Sequence, residues 1–95
     1  MAVKIFIKRS IPPDKAGKLM PLFQNLRSLA MSQPGYISGE TLHSIDSPGE
    51  IVVISTWQTV NEWRSWVANK ERLKIQGRID MLLGTKTEYE VYQHG

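Results

Sequence analysis

Residues 50–67 read Glu50-Ile51-Val52-Val53-Ile54-Ser55-Thr56-Trp57-Gln58-Thr59-Val60-Asn61-Glu62-Trp63-Arg64-Ser65-Trp66-Val67. The first half is the strongest strand signal in the chain, because four consecutive β-branched residues pack well on a pleated surface and lose little rotamer freedom there. The second half opens with Thr59 and, three residues later, Glu62. That spacing is a capping box, in which the threonine hydroxyl takes up an otherwise unpaired N–H of the first helical turn. A helix is therefore expected to begin at Val60. Alternation along the strand puts Ile51, Val53 and Trp57 on one face and Val52 and Ile54 on the other. Both faces are apolar, so something must cover each of them.

Upstream, Asp46-Ser47-Pro48-Gly49 has turn composition, and Tyr36 to Ile45 reads as a strand weakened by Gly39. The two strands form an antiparallel hairpin. Before them, Leu19, Leu22, Phe23, Leu26, Leu29 and Ala30 recur at helical spacing from Lys15 to about Ser32. Pro21 lies inside that pattern, lacks an N–H and opposes the carbonyl four residues back, so a kink or a fresh start is expected there. Gln33-Pro34-Gly35 ends the helix. Ile11-Pro12-Pro13-Asp14 separates it from a first strand over residues 2–9, in which Val3, Ile5 and Ile7 share one face and Phe6 takes the other.

Downstream, the helix carrying Trp63, Trp66 and Val67 is followed from about Lys70 by a second helical stretch with Leu73, Ile79, Leu82 and Leu83. Gly77 interrupts its continuity, and a break flanked by Asn69 and Gln76 is expected. Gly84 is a natural C-terminal stop. Thr85 to Gln93 alternates as a last strand, with Thr85, Thr87, Tyr89 and Val91 on one face. The order β-α-β-β-α-β predicts an α+β, ferredoxin-like domain, a four-stranded antiparallel sheet with its helices on one face. The 95 residues make a single domain, 1–95.

Helices on one face leave the apolar residues of the other uncovered. The simplest cover for such a face is a second copy of the same chain, and a homodimer through the sheet is expected. Composition narrows the rest. The chain has no cysteine, which excludes disulfides, thiol catalysis and cysteine-ligated metal. Its net charge of +3 comes from 12 Lys and Arg that are scattered, not gathered into a nucleic-acid footprint. RNA-recognition domains share this order of elements, but they display basic and aromatic residues on the third strand, and IVVISTWQ offers no glycine, phenylalanine or base. No run of 18 apolar residues exists, and the apolar start is too short for a signal peptide, so neither a membrane nor a nucleic-acid partner is expected and the location read is cytoplasmic.

None of the familiar catalytic signatures is present, neither GxGxxG, P-loop, HExxH nor GxSxG. His43 and His94 are the two histidines, and the carboxylates form no evident pair. Tryptophan stands out, with Trp57, Trp63 and Trp66 inside ten residues. Trp63 and Trp66 fall on one stripe of their helix, either as core or as the wall of a cavity for a flat ligand.

Gln33-Pro34-Gly35-Tyr36, then Ile54-Ser55-Thr56-Trp57, then the helix with Trp63 and Trp66, together resemble the antibiotic biosynthesis monooxygenase family over essentially the whole chain. The resemblance implies a dimeric α+β barrel. It also implies either cofactor-free oxidation of a phenolic or quinol-type aromatic by O2, or oxidative haem degradation. In the first case the protein binds a flat electron-rich ring and favours its anion, with no cofactor and no metal. Trp66 matches the family's pocket tryptophan. The haem-degrading branch needs a histidine ten positions after it, where Gln76 stands, and an asparagine where Lys8 stands, so that branch is set aside. The pocket candidates are Trp66 with Phe6, Phe23, Trp57 and Trp63 as apolar neighbours, and Lys8, His43, Asn69 and Gln76 as polar contacts. Catalytic roles stay unassigned. The alternative to an enzyme is a non-catalytic, small-molecule-binding or stress-related dimer of the same fold.

Overall fold

The computed structural model describes residues 1–95. Strand β1 spans Val3–Ser10, and a 3-10 turn over Pro13–Lys15 leads into helix α1, Ala16–Met31. The hairpin follows as β2, Tyr36–His43, and β3, Glu50–Trp57. Helix α2 spans Val60–Val67, α3 spans Lys70–Leu83, and β4 spans Glu90–Gln93. The sheet order is β2-β3-β1-β4 with every neighbouring pair antiparallel, so the two most apolar strands are central. The chain is α+β and ferredoxin-like.

The register explains the core. Val3 faces Trp57 and Ile5 faces Ser55 across the β1–β3 ladder, and these odd-numbered positions look toward the helices. Val3, Ile5, Ala30, Trp57 and Trp66 form one buried cluster, while Leu19, Leu22 and Ile79 form a second where α1 meets α3. On the other face the same ladder presents Lys4, Phe6 and Lys8 beside Thr56, Ile54 and Val52, with no helix above them.

Local signals set the element boundaries. The Thr59 hydroxyl accepts from the Glu62 N–H at 3.2 Å and donates to the Glu62 carboxylate at 3.0 Å, which starts α2 where the capping box predicts. Gly84 closes α3 in the left-handed region at φ 69°.

Four expectations need correction. Helix α1 is one element through Pro21, which sits in its second turn, so no fresh start occurs there. Pro21 and Gly17 are both exposed, so water can take up the Gly17 carbonyl that the missing N–H leaves free. Helix α3 also runs unbroken through Gly77, where a side chain would meet nothing within 4 Å. The break falls earlier, at Ala68–Asn69, because the Asn69 side chain accepts from the Arg72 N–H at 3.0 Å and caps a new helix. Strand β2 stops at His43, not Ile45, since Ser44 turns back to the Glu50 carbonyl. The last strand is four residues, not nine, because Thr87 and Tyr89 turn their side chains to α3 before Glu90 joins β1.

Candidate functional site

Arg9 is the last helix-facing residue of β1, in phase with Val3, Ile5 and Ile7, and only 7% of it is exposed. Arg72 lies in the first turn of α3 with 4% exposed, and Gln76, one turn on, has 6%. Burial of two guanidiniums under a small sheet is costly, so their partners decide what the region can do.

Those partners form one chain of hydrogen bonds. An Arg9 Nη1–H donates to Thr87 Oγ1 at 3.0 Å, and Gln76 Nε2 donates to the same oxygen at 2.7 Å. The Thr87 hydroxyl and Gln76 both donate to Asp80 Oδ1, at 2.7 and 2.8 Å. The Tyr89 hydroxyl donates to Gln76 Oε1 at 3.4 Å and accepts from Arg72 Nη2. A second Arg72 nitrogen donates to the Val67 carbonyl at 3.0 Å, tying α3 to the end of α2.

Aromatic rings wall the chain. The Arg9 guanidinium lies 5.0 Å from the Phe23 ring centroid, and that of Arg72 lies 5.8 Å from Trp66 and 5.4 Å from Tyr89. Ring faces attract cations, and the attraction grows as water is excluded. Trp63 meets Tyr89 edge-on at 5.7 Å, and Trp66 stacks on Trp57. Burial lowers the Arg9 pKa, with Tyr89 and Asp80 opposing and Arg72 reinforcing. Burial also pushes the Tyr89 hydroxyl above the ordinary tyrosine range, chiefly against the pull of Arg72 and Arg9. Tyr89 is thus a neutral hydrogen-bond donor and acceptor at physiological pH, held between a cation and an amide. The arrangement sets a guanidinium and a neutral hydroxyl beside the rings of Trp63, Trp66 and Tyr89.

Of the residues singled out in the sequence, Trp66, Trp63, Phe23 and Gln76 border or join this cluster. Trp57 stacks on Trp66 in the core, with its indole N–H donating to Ser55 Oγ at 3.2 Å. Asn69 serves as the cap of α3. Phe6 and Lys8 lie on the opposite face of the sheet. There Lys4, Phe6, Lys8, Glu90, Tyr92, Gln93 and His94 surround a hollow of about 450 Å³. His43 is exposed at the end of β2 and borders a hollow of about 510 Å³ whose lining includes Lys8, Arg9, Leu42, Glu50 and Ile51. Arg9, Arg72, Asp80, Thr87 and Tyr89 are not among the residues singled out from the sequence. The first two carry a legible signal: Arg9 continues an apolar strand phase, and Arg72 and Gln76 precede Ile79 at i, i+4 and i+7 on the stripe that packs inward.

Three comparisons bear on this site. The family model described as antibiotic biosynthesis monooxygenase matches residues 2–78. Protein SchA of Streptomyces halstedii is 19% identical over 73 residues, which is 77% of this chain and 19% of SchA, so the chain spans about a fifth of that relative's length. Among solved structures, a conserved protein from Methanosarcina mazei Go1 superposes with a TM-score of 0.90 at 17% identity, covering 100% of this chain and 94% of that one. A variant of SnoaB, a cofactor-independent oxygenase from Streptomyces nogalater, gives a TM-score of 0.85 at 16% identity over 98% of this chain and 92% of its own. At these identities the likeness to the solved structures is one of fold.

Proposed function

Because the chain belongs to the antibiotic biosynthesis monooxygenase family, we propose that it is a cofactor-independent monooxygenase acting with O2 on a small phenolic or quinol-type aromatic. The observation that carries this reading is the Arg72–Tyr89–Gln76 chain set against Trp63 and Trp66. A flat phenol stacked there meets a guanidinium that can donate to a developing phenolate, and a neutral tyrosine hydroxyl that can do so by turning its one proton away from Gln76. The anion is the form that passes an electron to O2. For a substrate with a ring methylene, such as an anthrone (the keto form of a phenol), the methylene becomes a carbonyl, one oxygen atom enters the product and the other leaves as water. The methylene supplies all four electrons, so no reductant beyond the substrate is required.

The second element of the proposal is a homodimer through the open sheet face. Phe6, Val52 and Ile54 stay only half-buried on it, and Leu42 and Tyr92 are 50% and 52% exposed. A face of this kind on a chain of 95 residues fits a self-complementary interface.

Oxygen uptake by the purified protein with a panel of quinols and anthrones tests the activity, with heat-denatured protein as the control for auto-oxidation. Rates well above control that fall in Tyr89→Phe protein of unchanged fold support the enzyme. Rates at control across the panel favour the binding dimer that does no chemistry.

A further inference from the structure

The buried polar cluster has pure donors at one end and a pure acceptor at the other. Arg9 and Arg72 are buried guanidiniums, which donate hydrogen bonds and accept none. Asp80, half-buried on α3, is the one carboxylate in the cluster, and as an anion it only accepts. Between these ends stand groups that can face either way: the hydroxyls of Tyr89 and Thr87 and the amide of Gln76. No buried side-chain nitrogen or oxygen lacks a partner, so the two ends decide the sense of every link between them.

Followed from Asp80, that sense is fixed step by step. Asp80 Oδ1 accepts from the Thr87 hydroxyl at 2.7 Å and from Gln76 Nε2 at 2.8 Å. With its proton committed, Thr87 Oγ1 can only accept, and it does so from Arg9 at 3.0 Å and from Gln76 Nε2 at 2.7 Å. A Gln76 amide turned over would set Oε1 against the carboxylate and against a hydroxyl oxygen with no proton to give. Oε1 therefore faces Tyr89. The Tyr89 oxygen accepts from Arg72, and its single proton goes to Gln76 Oε1 at 3.4 Å, the longest link of the chain. The paths Arg72–Tyr89–Gln76–Asp80 and Arg9–Thr87–Asp80 thus end on one carboxylate oxygen, and each joins a buried guanidinium to it through neutral groups.

We propose that Asp80 is the positioning residue of this site: acting through Gln76, it keeps the Tyr89 O–H donating to the amide oxygen, and its loss turns the amide over. The reversal follows because the Thr87 proton, freed from the carboxylate, turns to Gln76 and draws Oε1 to that side. Nε2 then faces Tyr89. A hydroxyl that accepts from both Arg72 and Gln76 ionises more readily, since both bonds favour its anion. Arg72, Arg9 and Asp80 are the charges that face Tyr89, and Asp80 is the one among them that opposes ionisation. For the chemistry, the role rests on the reading of Tyr89 as a donor to a phenolate, but the geometry is measured without substrate.

The test is nuclear magnetic resonance on the full chain, isotope-labelled at the glutamine side-chain nitrogen and at the tyrosine ring carbon that bears the hydroxyl. Tyr89→Phe assigns the Tyr89 signal. In wild type the Gln76 side-chain N–H protons are expected to show a stronger Overhauser contact to the Thr87 methyl than to the Tyr89 ring, and Tyr89 to reach its titration midpoint above 10.0. In Asp80→Ala protein the order of contacts reverses and the midpoint falls below 10.0, the value of a free tyrosine. Thr87→Val removes a partner of Gln76 but leaves Asp80, so the amide keeps its sense and Tyr89 stays above 10.0. A cluster that merely loosens in Asp80→Ala loses both amide contacts and brings Tyr89 to 10.0 and no lower, and that result overturns the proposal. So does an unchanged order of contacts in Asp80→Ala, or a midpoint below 10.0 in Thr87→Val. A wild-type amide whose stronger contact is to the Tyr89 ring overturns it without any variant. Oxygen uptake is read separately on the same proteins. An alkaline limb of the pH–rate profile that moves to lower pH in Asp80→Ala supports the role in the chemistry, and a limb that stays in place removes it. No turnover in wild type, with the resonance results as expected, removes the enzyme reading and leaves the positioning of Tyr89 by Asp80 standing.

Discussion

Trp57 at the end of β3 and Trp66 near the end of α2 stack with ring centroids 6.2 Å apart and planes 24° from parallel. The contact joins sheet to helix directly above the cluster of Val3, Ile5 and Ala30. Tyr36 meets Trp57 edge-on at 5.4 Å from the other side, so the first residue of β2 is locked into the same cluster. Truncating a ring that is 1% exposed removes its transfer energy and leaves a cavity that the strand cannot collapse into. Trp57→Ala is expected to cost about 3–5 kcal/mol in urea denaturation. Trp63→Ala, from a half-buried ring, should cost about half as much. Equal costs at the two positions would show that Trp63 is as much core as Trp57.

Two glycines are expected to answer substitution with opposite signs. Gly35 sits at φ 86°, and a Cβ added there would lie 2.7 Å from the Glu62 Cβ and closer still to its carboxyl carbon. Glu62 is held by its reciprocal bonds with Thr59, so it cannot simply swing aside. Gly35→Ala should therefore destabilise by about 1–3 kcal/mol. Gly77 is an exposed helix-interior glycine, and a methyl added there would meet nothing within 4 Å. Gly77→Ala should stabilise by roughly 0.5–1 kcal/mol. Thermal melts of the two variants against wild type check both signs.

The fold was legible because its signals are local and redundant. The β-branched run of β3, the Thr59–Glu62 capping box and the Gly84 stop each act within a few residues, and the structure uses all three. Pro21 and Gly77 misled because their penalties depend on surroundings. An orphaned carbonyl costs little when water reaches it, and a helical glycine costs about 1 kcal/mol against a helix that tertiary contacts already hold. The cluster was half legible. Its tryptophans announce themselves by type, whereas Arg9 and Arg72 look ordinary until strand phase and helix stripe are followed to the charged residue that breaks them. Thr87 and Tyr89 could not be placed, because alternation alone reads them as strand. Only their contacts to Asp80, Gln76 and Arg72 show why the chain leaves the sheet there.

Tyr89 should make the protein sensitive to alkali. Burial raises its pKa in the folded state above the ordinary value of 10.0, and Arg72, Arg9 and Asp80 are the charges that face it. The unfolded chain then releases this proton first as pH rises. Between the unfolded and folded pKa values the native state binds more protons, so stability falls with pH. The contribution is fully present below pH 10 and is lost as pH climbs through the raised value. Denaturation midpoints followed from pH 8 upward should decline beyond pH 10 in wild type and decline less in Tyr89→Phe. That variant also starts lower at pH 8, because Arg72 and Gln76 each lose a partner. Parallel curves would assign the alkaline loss to other groups.

The open sheet face supplies the last prediction. Phe6 stands at its centre, edge-on to Tyr92 at 5.2 Å and opposite Ile54 across the β1–β3 ladder. Its side chain points away from both buried clusters, so a polar residue there does not enter the core. If a second copy covers this face, two Phe6 rings are buried with it, and a carboxylate at each position costs several kcal/mol of unpaired charge across the interface. Glu90 lies beside Phe6 in the β1–β4 register and adds like-charge repulsion. Phe6→Glu is therefore expected to convert a dimer to a monomer in light scattering coupled to size exclusion, with far-ultraviolet circular dichroism unchanged. A dimer that survives Phe6→Glu means that the copies meet through another surface, and the exposed apolar residues of α3, Leu73 and Met81, become the next place to cut.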